Sequence, residues 1–169
     1  MDELFQDEAR ATETAADPEW DLEVAMSFLD DIEKEFLRLL NSEKYFFGAH
    51  AVELLEQGDF ILAMQRAKRA EKHGGDATAV HAAARELEGR IALSVESTKD
   101  EEEVKWRDRA IQAFTEAVQL EPTAMRWYRL GVAHRYIKDA IDCMRQAEAL
   151  ADGELKLKAA KMRDRYAAQ

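Results

Sequence analysis

The chain has 169 residues, of which 47% are hydrophobic and 35% charged, enough for one domain with a sizeable core and too apolar for a disordered polymer. It carries a net charge of −11, and no stretch approaches the roughly 18 uninterrupted apolar residues of a bilayer-spanning helix, so membrane insertion is not expected. The acidic start Met1-Asp2-Glu3-Leu4-Phe5 lacks the basic and apolar regions of a secretory signal, and the lone Cys143 forms no internal disulfide, so a cytoplasmic location is expected.

The charge is localised. Residues 1–35 hold 13 acids against Arg10 and Lys34, a local net charge of −11 that leaves the rest of the chain neutral. An acidic front repels polyanions, so nucleic acid is not an expected partner. Seven glycines and two prolines among many Ala, Glu, Leu, Lys and Arg predict long helices with short connections.

Residues 1–17, with a net charge of −5 and no apolar period, read as a disordered or loosely attached tail. Within it, Leu4 and Phe5 among acids have the composition of a short docking motif; a plain solubilising tail is the alternative. Asp17-Pro18 then starts a helix, with a capping carboxylate before a proline at the first helical position and Glu19, Asp21 and Glu23 at the positive end of the dipole. Trp20, Val24, Phe28, Ile32, Phe36 and Leu39 recur every three or four residues, giving an amphipathic helix over 18–41 that Asn41-Ser42 ends.

From Glu43 the sequence becomes repetitive. Leu55-Glu56-Gln57-Gly58-Asp59-Phe60 is followed by Ala63, Ala67 and Ala70; Ala110, Phe114 and Ala117 precede Pro122; Ala140, Met144 and Ala147 follow at the same offsets. Small residues at such spacing let helix axes approach to about 8–9 Å. Trp127-Tyr128-Arg129-Leu130-Gly131 adds a W-x-x-L-G pattern at a matching distance from Pro122. On these residues the chain resembles the tetratricopeptide-repeat family over about 43–152. The resemblance implies an all-α fold, a helical-hairpin array coiled as a right-handed α-solenoid, with repeats at 43–76, 77–122 and 123–152. The N-terminal helix lies outside the array and a capping helix, 153–169, closes it. The phase is irregular: Ala63 to Ala110 spans 47 residues and Ala110 to Ala140 spans 30, against about 34 for a regular repeat. The excess is placed in Ile91–Lys105, and Ile137-Lys138-Asp139 is expected to be the tight link of the third repeat.

No catalytic constellation stands out, and the chain is not expected to be an enzyme. His50, His73, His81 and His134 are scattered without metal-ligand spacing, so no metal or other cofactor is expected. Gly74-Gly75 reads as a helix C-cap and Cys143 as buried filler. In the family, the first helices of the repeats line a concave groove that binds a partner segment. Carried over, the wall comprises Tyr45, Gly48, Val52 and Leu55, then Thr78, His81, Arg85 and Glu88, then Met125, Tyr128, Val132 and Arg135, with Arg129 beside them. Aromatic residues and arginine carry much of the energy in interfaces. A clamp for chaperone C-terminal carboxylates is not expected, since only Arg129 matches the cations that clamp requires. The expected function is therefore a protein-interaction module (scaffold, adaptor or assembly factor) that binds a protein or peptide segment. The alternatives are a chaperone for secreted bacterial proteins or a homo-oligomeric structural protein. Helix 18–41 is expected to cap the first repeat; the alternative is that it packs into the chain's own groove or a neighbour's, and within the chain would bring its acids to Arg85, Arg129 and Arg135.

Overall fold

The structure is a computed structural model that describes residues 16–42, 46–56, 58–97 and 99–169. The docking motif in the tail and Tyr45 of the expected groove lie outside these residues. The described residues form helices α1 (Pro18–Ser42), α2 (Gly48–Glu56), α3 (Asp59–Lys72), α4 (Thr78–Leu93), α5 (Asp100–Leu120), α6 (Ala124–Ala133), α7 (Ile137–Leu150) and α8 (Gly153–Ala167). None of these helices is long and apolar enough to cross a membrane.

Local chemistry sets the ends. Asp17 Oδ1 accepts the amide of Trp20 at 3.1 Å, capping α1 ahead of Pro18. Thr123 caps α6 by accepting the Arg126 amide at 3.2 Å. Gly58 turns the chain into α3 with φ 83°, and Gly74, φ 86°, closes that helix. The expected link Ile137-Lys138-Asp139 is instead the first turn of α7, and the connection is His134-Arg135-Tyr136. No glycine is needed there, because extended backbone at His134 and Tyr136 makes the corner.

Three helix pairs dominate the packing: α1 with α3, α4 with α5, and α6 with α7, with α8 laid on α7. They run antiparallel. Asp21 near the start of α1 meets Arg66 and Arg69 near the end of α3, and Arg85 and Glu88 of α4 meet Glu116 and Arg109 of α5. The first pair differs from the one expected, because α3 is partnered mainly by α1 and only lightly by α2. Length decides this: α1 has 25 residues and buries Ala25, Leu29, Ile32 and Phe36, whereas α2 has nine and buries Ala51 and Leu55. Helix α1 is therefore core. Its acids pair with Arg66, Arg69 and Arg90, and Glu33 also acts on Arg129 at longer range, whereas Arg85 and Arg135 pair with acids of α4 and α5.

The excess residues of the repeat phase pack against the start of α2. Trp106, on the extended first half of α5, lies beneath Gly48 at the start of α2. The amide of Glu96 in the α4–α5 connection donates to the carbonyl of Phe46 at 2.8 Å, and Phe46 sits edge-on to Phe36 with ring centroids 5.7 Å apart. Among the described residues the core forms three clusters, with Trp106 bridging the first two and Trp127 the last two. The phased alanines Ala63, Ala67, Ala70, Ala110, Ala117, Ala140 and Ala147 are all buried, as close helix approach requires.

Candidate functional site

Helices α1, α4 and α6 are the first members of their pairs, and they lie side by side in the same direction. Glu33 of α1 bonds Arg90 of α4 at 2.7 Å, and Glu86 of α4 meets Arg126 and Arg129 of α6 at 2.9 and 3.1 Å. At the C-terminal end of this face a cleft of about 300 Å³ opens. Phe36, Leu37 and Leu40 of α1 form one wall, Arg90, Leu93 and Ser94 of α4 the floor with Phe114 beneath, and Tyr128, Arg129 and Val132 of α6 the other wall. Leu37 is 41% exposed, so its apolar side chain borders open space.

Two guanidinium groups sit over this apolar surface. Arg90 is held by Glu33 and lies over the Phe36 ring at 5.8 Å. Arg129 Nε stands 3.1 Å from Glu86 Oε1, but the angle is wrong for a hydrogen bond and that nitrogen has no acceptor. Burial, then the charge of Arg90, pushes the Arg129 pKa down, while Glu86 and Glu33 oppose the shift. Arg129 stays cationic, since the ordinary arginine value lies far above neutrality. The cleft thus combines an apolar slot, a partly desolvated cation whose Nε lacks an acceptor, and the Tyr128 ring, over which Lys158 Nζ lies at 5.6 Å. Such a site suits a large apolar side chain flanked by a carboxylate.

The sequence-derived wall residues divide among several surfaces. Tyr128, Arg129 and Val132 meet in this cleft, and Met125 is exposed on the same helix. Leu55 is a core residue that borders a second cleft with Phe60, Ile61 and Met64, where His81 lies 2.8 Å from Glu71. Arg85 bonds Glu88 and Glu116 on the seam between α4 and α5. Arg135 ties α6 to α5 through the Val104 carbonyl at 2.9 Å and Asp108 at 2.8 Å. Val52, on α2, is half-buried away from the cleft.

The face of α4 that meets α6 carries Glu86, Arg90 and Leu93, five residues on from His81, Arg85 and Glu88, which is about 140° around the helix. The signal for this register was Gly89. Like Gly131 in α6, it is the small residue laid against the partner helix, its missing Cβ facing Phe114 as that of Gly131 faces Met144.

Among the described residues no group of three or more His, Cys, Asp or Glu is placed to hold a metal ion. Cys143 is buried, and burial, reinforced by Asp139 and Asp142, pushes its thiol up to about 11, which keeps it protonated and unreactive. No family model, curated protein or solved structure matches this chain.

Proposed function

We propose that this chain is a protein-interaction module of the helical-hairpin type, a right-handed α-solenoid of tetratricopeptide-like pairs that binds a partner segment on the α1–α4–α6 face. Three antiparallel helix pairs in series, with their first helices aligned, support the architectural reading. The observation that carries the functional reading is the cleft at the end of that face, where the Arg129 guanidinium, its buried Nε without an acceptor, stands beside an apolar slot lined by Leu37, Leu40 and Val132. A segment with a bulky apolar residue next to an acidic group would fill the slot and satisfy the guanidinium. Association, not catalysis, is the chemistry such a surface offers.

The test is affinity capture with the purified chain beside a Leu37→Asp/Tyr128→Ala variant. Both changes lie in the cleft and leave the α1–α3 core untouched. A partner retained by the wild type and lost by the variant supports the reading; equal retention by both refutes it.

A further inference from the structure

The other end of the same face has the opposite charge. Between the N-terminal halves of α1 and α4 lies a slot of about 630 Å³. Leu22 and Met26 of α1 and Val80 and Ala83 of α4 line it, with the small Ser27 and Ala79 beside them. Met26 is 36% exposed. Residues this small admit the backbone of a further helix to about 8–10 Å, the spacing of packed helices.

The rim is acidic. Glu23 and Asp30 stand on α1, Asp76 precedes α4, and Glu121 lies at the α5–α6 corner. Among the described residues the one cation lining the slot, Arg126, is buried and already held by Glu86 at 2.9 Å and by Glu121 at 3.0 Å. Glu23 and Asp30 have no ion-pair partner among the described residues. They are seven positions apart on one helix, about 10.5 Å or two turns, with Met26 between them.

We propose that this slot docks a basic amphipathic helix of a partner protein. The apolar stripe of such a helix would cover Leu22, Met26 and Val80, and cations two turns apart would reach Glu23 and Asp30. Lysine and arginine suit the rim because their aliphatic stems can lie on apolar surface while the charged ends reach the carboxylates. A neutral or acidic helix of the same shape would strip water from the rim acids without pairing them, so the slot discriminates by charge. The chain's own residues 1–15, with a net charge of −4, have the wrong sign for this rim. The proposal uses the same face as the cleft described above but none of the cleft's residues.

The experiment is fluorescence anisotropy with the full chain and a labelled helical peptide of about 16 residues, long enough to span the slot, bearing leucines on one face and lysines beside them. Its counterpart carries glutamate for lysine. The lysine peptide should bind, and the glutamate peptide should bind at least about tenfold more weakly. Glu23→Lys/Asp30→Lys should weaken the lysine peptide by about tenfold or more, whereas Glu101→Lys/Glu102→Lys on α5, the same change in net charge, should cost under about threefold. Ala79→Trp, which fills the slot without altering charge, should also abolish binding, so the result does not rest on the lysine variant alone. Leu37→Asp/Tyr128→Ala should leave this binding unchanged, which separates failure here from failure of the cleft.

Equal weakening by both charge variants would mean diffuse attraction and overturn the proposal, as would no binding by the wild type. Sedimentation showing a dimer that Glu23→Lys/Asp30→Lys dissociates would assign the slot to a second copy, whose α8 carries Lys156, Lys158, Lys161 and an exposed Leu157, and would overturn it too.

Discussion

Replacing Gly89 by alanine adds one methyl group at the point where α4 lies against α5. A Cβ there would fall 2.6, 2.7 and 2.8 Å from three atoms of the Phe114 ring, against the 3.5–4.0 Å or so of an ordinary carbon contact. The ring would have to retreat by about 1 Å. It is 1% exposed and packed among Ala110, Val118, Leu130 and Ala133, with no flexible end to yield. Overpacking of this kind costs about 1–3 kcal/mol, while alanine in a helix interior recovers about 0.5–1 kcal/mol relative to glycine. Gly89→Ala should therefore destabilise by about 1 kcal/mol at mid-range and at most about 2.5 kcal/mol, seen as a lower urea midpoint at unchanged m-value. Gly131→Ala is the comparison. Its nearest neighbour is Cε of Met144, the end of a flexible side chain, at 2.8 Å, with Cys143 Cβ at 3.2 Å and the Ala140 carbonyl oxygen at 3.3 Å, so the helix gain and the packing loss should nearly cancel. Gly89→Ala/Phe114→Leu should recover much of the loss by removing the ring. If Gly89→Ala is as stable as the wild type or more so, the close α4–α5 approach, and with it the register of α4, is refuted.

Other expectations follow from buried groups and from α1. Asp21 is 1% exposed and receives Arg66 and Arg69 at 3.1 and 3.4 Å. Asp21→Asn should cost about 1–3 kcal/mol in chemical denaturation, less than a fully enclosed pair because both arginines reach water. Deleting residues 1–41 should abolish cooperative unfolding, because the deletion removes Ala25, Leu29, Ile32 and Phe36 from the first core cluster; a truncated chain that still melts sharply would refute the placing of α1 in the core. Burial holds the His134 pKa below its usual value, with Asp139 opposing. The folded state thus favours the neutral ring, and its contribution is present above about pH 6.5 and lost as the pH falls below. His134→Gln should therefore show a smaller drop in urea midpoint between pH 7.5 and 5.5 than the wild type. Cys143 should resist thiol reagents in the folded chain at pH 8 and react at once in denaturant, given its burial and a thiol pushed up to about 11.

Much of the helical layout was readable residue by residue. Asp17-Pro18 set the start of α1 and Gly58-Asp59 the turn into α3. Pro122 stopped α5, and the acids from Asp100 opened it, because capping, proline and dipole effects act within one turn and need no partner. The phased alanines marked where helices approach, since only a small side chain permits it. Which helices meet was a tertiary decision. Both α1 and α2 offer an apolar side to α3, and the longer helix takes the place because it buries more. The face of α4 was hidden for a related reason. That helix is covered by α5, α1, α3 and α6, and Val80, Ala82, Ala84, Leu87, Gly89, Ile91 and Ala92 are buried around much of its circumference. Its hydrophobic period therefore points in no single direction. Charge told the same story in two parts: the sequence placed the acids at the front, but only folding chose Arg66, Arg69 and Arg90 as their partners. It also left Arg129 over one end of the shared face and Glu23 and Asp30 over the other, because ion pairing depends on distances of a few ångströms that sequence spacing fixes only within a single helix.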